Sequence, residues 1–210
     1  MPVADLPLRH AAAWDRATRH PFLLGVRDGS IAEAAFDTWL AQDALFVFDL
    51  VRFQSRLLAR VPRGAQAVLA GGLVALVNEL AWFEETRPPD RAATALPATA
   101  AYARLLERLD TADAAIALTA LWTIECVYLD AWSFTAPGAP AYRECVARWT
   151  TPQFAAYVQA LGEAADTAVD TATAGPDLDA VVTAVLHAEV AFWEMAVEGA
   201  ADVPTVRRPS

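Results

Sequence analysis

The sequence predicts an all-α protein, a single-domain helical bundle. Apolar residues recur at helical spacing through nearly the whole chain. Ser, Thr, Asp and Pro stand where helices would start and stop, and no stretch keeps the period-two alternation of a half-buried strand. The 210 residues fit one large domain, and the 56% apolar content supplies a sizeable core.

The elements follow in order. Leu6 to Thr18 reads as a first amphipathic helix, followed by an interruption at His20, Pro21 and Gly25. His20 precedes a proline at a helix end, where capping is its expected role. Ser30-Ile31-Ala32-Glu33 has the form of a capping box opening a long helix. Phe36, Trp39, Leu40, Phe46, Val47, Leu50, Phe53 and Leu57 make its apolar face, and Pro62 stops it near Val61. The Asp43–Phe53 run has a strand-like composition, but the length of the element and its start signal favour helix. A second long helix covers Ala65 to Glu85. Pro88-Pro89 and Pro97 bracket a loop, and a short helix holds Tyr102. Asp110 to Asp113 turn the chain into a strongly apolar helix ending near Phe134. After a loop at Pro137-Gly138 and Pro140, Tyr142 to Trp149 is helical. Thr151-Pro152 forms N-cap and first turn of the next helix, which ends before Gly175-Pro176, and Asp177 caps the last one. Residues 1–200 thus read as one domain and 201–210 as a frayed tail.

A net charge of −10 and a pI of about 4.7 argue against nucleic-acid or anionic-membrane partners. No stretch of membrane-spanning length lacks a charge. The N-terminus has no basic region followed by an apolar run, so a cytoplasmic location is expected. There the two cysteines, Cys126 and Cys145, read as thiols rather than a disulfide. No Cys/His spacing suits a metal.

Four acids occupy positions where the apolar stripes call for core residues, each followed three residues later by an aromatic. The pairs are Asp43/Phe46, Glu79/Trp82, Glu125/Tyr128 and Glu189/Phe192. Neighbours at i±3 and i±4 share a helix face, so four helices each aim one carboxyl at an apolar interior. One such acid is ordinarily a rim residue or half of an ion pair. Four with one pattern point to a pocket for a flat, polar, nitrogen-rich ligand. A di-iron centre would want Glu-x-x-His on two helices, but here the third position is aromatic. Of the three histidines, His187 lies two residues from Glu189 and points elsewhere. We therefore expect neither metal nor cofactor. Neither cysteine has a His or Lys beside it in sequence to activate it.

His20-Pro21-Phe22 with Asp28-Gly29, then Trp39-Leu40-Ala41-Gln42-Asp43, resemble the N-terminal signature of the TenA/thiaminase II family. Leu121 to Tyr128 and Glu189 to Ala196 resemble its two later motifs, in the same order. The resemblance implies a haem-oxygenase-like bundle without haem, acting on thiamin-related aminopyrimidines. One branch of the family carries a nucleophilic Cys four residues before a Tyr. With Tyr128 as anchor that position is Ile124, so the chain resembles the glutamate branch; with Cys126 as anchor the Tyr would be Asp130. Asp43 matches the family's pyrimidine-binding Asp and Glu189 its late catalytic Glu, with Phe192 a pocket wall. Tyr102 and Tyr128 match pocket tyrosines, and Phe46 and Trp149 stand where the cysteine branch has Tyr.

The resulting expectation is a hydrolase for 4-amino-5-aminomethyl-2-methylpyrimidine or its N-formyl form in thiamin salvage. Glu189 and Glu125 are the catalytic candidates. Asp43, Glu79, Phe46, Trp82, Tyr102, Tyr128, Trp149 and Phe192 are the substrate-binding candidates. The resemblance also implies a homo-oligomer, dimer or tetramer. Two rivals stay open: a pyrimidine-binding or regulatory protein without turnover, and a PqqC-like enzyme, against which the scarcity of His and Lys argues.

Overall fold

The computed structural model describes residues 2–86, 94–171 and 177–201, all helix, turn or loop. After a 3-10 turn at Val3–Asp5 come α1 (Leu6–Arg9), α2 (Ala11–Thr18), α3 (Pro21–Asp28), α4 (Glu33–Arg60) and α5 (Arg63–Thr86). Then follow α6 (Pro97–Leu109), α7 (Ala114–Thr135), α8 (Arg143–Trp149), α9 (Pro152–Thr171) and α10 (Leu178–Ala201). Of the tail expected at 201–210, Ala201 is the last residue of α10 and 202–210 lie outside the described residues.

Local chemistry accounts for most boundaries. His20 Nδ1 accepts from the Phe22 amide at 3.2 Å, so the histidine caps α3. Asp113 caps α7 through the Ala115 amide at 2.8 Å, and Thr151 caps α9 through the Phe154 amide. Gly29 ends α3 at φ 83°, a left-handed conformation that a side chain resists. Two expectations are corrected. The first helix breaks at His10, which separates α1 from α2. The capping box does not form: Ala32 is the N-cap of α4, and the Ser30 amide instead donates to Asp28 Oδ1. An Asx-type turn has taken the residue that the capping box needed.

The core lies where α4, α7 and α10 meet, and α7 also packs along α9. Leu118, Leu121, Val127, Trp132, Val185 and Leu186 are fully buried there, each burial contributing about 1.5–3 kcal/mol. By length and composition α5, α7 and α10 could each cross a membrane. The last two bury their apolar residues in the bundle, whereas α5 is largely uncovered, with Val74 and Val77 exposed.

The inner side of α5 is tight. Gln54 on α4 is fully buried, donates to the Leu69 carbonyl at 2.8 Å, and lies 3.5 Å from the Tyr157 hydroxyl. A Cβ at Gly72 would collide with the Gln54 amide and with the Tyr157 hydroxyl at 2.5 Å; one at Gly71 would meet nothing. Gly72→Ala should therefore destabilise by about 1–3 kcal/mol, while Gly71→Ala should stabilise by about 0.5–1 kcal/mol through helix propensity. Urea unfolding of both variants checks the contrast.

Candidate functional site

Three central helices and α6 converge on a small cavity. From α4, Trp39, Asp43 and Phe46 reach it at i, i+4 and i+7 along one face. Tyr102 comes from α6 and Tyr128 from α7, while Glu189, Phe192 and Trp193 come from α10. Gln42 fixes α6: its Oε1 accepts from the Leu96 amide at 2.9 Å and the Thr99 hydroxyl at 2.7 Å. One turn beyond Thr99, Tyr102 then donates to Glu189 Oε1 at 2.5 Å. Opposite, the Tyr128 hydroxyl donates to Asp43 Oδ2 over a long 3.4 Å. Phe46 packs on Tyr102 at 4.5 Å and on Phe192 at 5.7 Å, closing the aromatic wall. Among the described residues the buried Trp39 indole N–H finds no hydrogen-bond partner. The free space is that of about one water molecule, so a heteroaromatic ring must move side chains to enter. Tyr128 is the half-buried member of the lining, which makes it the side chain freest to swing.

Of the four acids predicted to share one pocket, Asp43 and Glu189 line the cavity. Glu125 is buried beside it, and its charge is felt by Asp43, Tyr102 and Tyr157. Glu79 stands further out, where Arg148 Nε donates to one oxygen at 2.7 Å and Trp149 Nε1 to the other at 2.8 Å. Trp149 backs Tyr128 and Trp39 from outside the lining, and Trp82 stands edge-on behind Trp149. Of the four carboxyls expected in one cavity, two stand in its lining, with Glu125, Glu79, Trp82 and Trp149 in the surrounding layer.

Burial dominates the electrostatics. It pushes the Asp43 carboxyl well above the usual carboxylate range, aided by the charges of Glu79, Glu189 and Glu125 and opposed by the Tyr128 hydrogen bond. Burial, with the Glu189 charge, pushes Glu125 up to about 8. Burial pushes Glu189 up to about 7, against the pull of its Tyr102 bond. Burial and the Glu189 charge also raise Tyr102, which keeps its proton as donor. Burial thus favours the protonated forms of Asp43 and Glu125, while Glu189, at about 7, is poised near neutrality.

Cys126 is pushed by burial, and by the Asp130 charge, up to about 12, which leaves it a poor nucleophile. Neither it nor Cys145 is in a disulfide. Among the described residues no group of three or more His, Cys, Asp or Glu is set to hold a metal ion. His187 is exposed.

Residues 8–199 match the family model described as TENA/THI-4/PQQC. The chain belongs to this family. A TENA/THI-4/PQQC relative from Glycine max, named a probable bifunctional TENA-E protein, is 33% identical over 204 residues, 89% of each chain. Among solved structures, a TenA homologue from Pyrococcus furiosus superposes with a TM-score of 0.85 at 22% identity, covering 93% of this chain and all of that one. A Silicibacter protein described as a TenA family transcription regulator gives 0.79 at 20% identity, covering 88% and 91%. The fold is therefore the haem-oxygenase-like all-α bundle, and membership of the family carries a thiamin-related function.

Sequence reasoning missed Trp39 and Trp193 as lining residues, although each lies four residues from a predicted acid on the same helix face. It also missed Gln42 and Arg148. No local signal marks either one, because their partners lie 52 or more residues away.

These carboxyls bind protons more tightly folded than unfolded. The stability they contribute is complete below their ordinary values near 4.5 and is lost as pH rises through about 7 and about 8. The melting temperature at pH 8.5 should lie at least about 5 °C below that at pH 5.5. Glu125→Gln should narrow the gap, isolating this carboxyl from His20, whose burial acts in the opposite sense. Calorimetric scans across pH check it.

Proposed function

We propose that the protein hydrolyses the exocyclic C–N bond of 4-amino-5-aminomethyl-2-methylpyrimidine or the amide bond of its N-formyl form, in thiamin salvage. The observation that carries this reading is the pairing of Asp43 with Glu189, two buried carboxyls across one aromatic-walled cavity. A neutral Asp43 presents an O–H and a C=O side by side. These match the ring nitrogen and adjacent amino group of a 4-aminopyrimidine, acid donating to the nitrogen and accepting from the amine. Protonating the ring draws electrons from the exocyclic carbon and eases departure of the amine. Phe46, Phe192 and Tyr128 would hold the ring plane. Glu189, near its midpoint and oriented by Tyr102, suits proton transfer with an attacking water and a leaving nitrogen. Glu125 is its candidate partner. The balance is one water consumed, with ammonia and an alcohol released from the amine, or formate and the amine from the formamide.

A second reading keeps the pocket and drops the turnover. It is favoured by the description of the Silicibacter neighbour as a transcription regulator. Product analysis separates the two, since ligand binding with no product supports the binder.

Under the hydrolase reading, Asp43→Ala should weaken aminopyrimidine binding by about 2–4 kcal/mol, because it removes both the donor and the acceptor that would meet the ring edge. Glu189→Gln should lower kcat by about 10²–10⁴ with little change in binding. Calorimetry beside steady-state kinetics reads both, and wild-type turnover by Glu189→Gln removes the catalytic assignment. Replacing Cys126 and Cys145 together by Ala should leave turnover within about tenfold. A thousandfold loss in a folded, ligand-binding double variant would restore a cysteine mechanism.

A further inference from the structure

We propose that Arg148 is a positioning residue: through its ion pair with Glu79 it holds the Trp149 indole against Tyr128 and Trp39, and so sets the Tyr128–Asp43 edge of the cavity. This rests on the reading of Asp43 as the group that recognises the ligand.

The geometry starts from a weak element. At seven residues, α8 is too short to hold itself in place and depends on tertiary contacts. Its last two residues are both gripped by α5. Arg148 Nε and Trp149 Nε1 take one oxygen each of the Glu79 carboxylate, at 2.7 and 2.8 Å. One turn along α5, Trp82 lies beneath the Arg148 guanidinium at 4.7 Å and edge-on to Trp149 at 6.0 Å. Glu79 and Trp82 thus act as a clasp on the end of α8, in place of the ligand contact their spacing implied.

The clasp faces the site through Trp149, which is 5% exposed and packs on Trp132 at 4.5 Å, Trp39 at 5.3 Å and Tyr128 at 6.1 Å. Trp39 and Tyr128 line the cavity, so Trp149 is their backing. The Tyr128–Asp43 hydrogen bond is already long at 3.4 Å, and a small shift of Tyr128 would break it. Trp149 cannot keep its place by packing alone if its N–H loses an acceptor, since a buried unpaired donor is costly. Arg148, donating to the other oxygen of the same carboxylate, holds that acceptor in place. The charged and titratable groups facing Asp43 are Glu79 on α5, Glu125 and Tyr128 on α7, and Glu189 on α10. A displaced Glu79 would therefore also change the field at Asp43.

The test uses the full chain, with Arg148→Gln, Arg148→Lys and Glu79→Gln. Two readouts need no ligand: the Trp149 indole N–H signal, assigned with Trp149→Phe, and the pH titration of the Asp43 side-chain carbon. The third is the dissociation constant for 4-amino-5-aminomethyl-2-methylpyrimidine. In Arg148→Gln the indole signal should move and exchange faster, the Asp43 midpoint should shift, and binding should weaken about tenfold. Arg148→Lys should restore all three toward wild type, to within about threefold in binding, because the cation is kept. Should Arg148→Gln fail to fold, Glu79→Gln carries the same decision: it keeps an acceptor for Trp149 but loses the ion pair, so the Trp149 indole N–H should exchange faster; the Asp43 titration is not read in this variant, because the lost Glu79 charge moves it directly. Folded variants that lose only melting temperature, with both signals unmoved, overturn the proposal. If wild type binds no aminopyrimidine, the functional reading falls, and the two ligand-free signals still decide the clasp.

Discussion

Asp43, Glu125 and Glu189 are brought together inside an apolar bundle, and they cannot all be ionised there. Removing a carboxylate from water is expensive, and neighbouring like charges add to the cost. Most of the site's other features answer this constraint. Burial favours the protonated forms of Asp43 and Glu125, Glu189 is steadied by the Tyr102 hydroxyl, and Asp43 accepts a weaker bond from Tyr128. The burial that makes these groups costly is also what tunes them toward neutral pH, where proton transfer is most effective.

A second layer turns these side chains into a fixed arrangement. Gln42 ties the start of α6 to α4, which sets the height of Tyr102 over Glu189. On the other side Glu79 ties α8 to α5 and brings Trp149 up behind Tyr128 and Trp39. The two anchors differ in character. Gln42 is a buried amide on neutral partners, and Glu79 is a partly solvated carboxylate on a cation. The first resists salt and pH, while the second sits where water and ions reach it. The edge of the cavity backed by Trp149 is therefore the more adjustable one. It carries the half-buried Tyr128 and the longer hydrogen bond, in a cavity that must widen before a heteroaromatic ring can enter.

Much of the fold was legible because helix is a local property. The spacing of apolar residues, the prolines at 62, 97 and 152, and the caps at His20, Asp113, Thr151 and Asp177 act over a few residues, and the helices start and end close to them. The exceptions arose where two local solutions competed. Ser30 had an Asx-type turn and a capping box within reach, and the turn won. Within the site, Asp43 and Glu189 with their aromatic neighbours were legible as polar groups on apolar stripes, and Trp39 and Trp193 were within reach of the same spacing rule.

The sequence by itself determined that the chain is helical, which face of each helix is apolar, and that four acids interrupt those faces. Periodicity cannot say which acids end up sharing a cavity, because that depends on how far each helix is rotated and offset against its neighbours. Packing of α4, α7 and α10 brought Asp43, Glu125 and Glu189 within electrostatic reach of one another. On α5, the same acid–aromatic spacing puts Glu79 beside Arg148, 69 residues further along the chain, which donates to its carboxylate. A carboxylate that meets a cation at the edge of the bundle forms an ion pair there, and one buried without a cation is pushed toward its protonated form. That choice is made by tertiary contacts, which no helical repeat encodes.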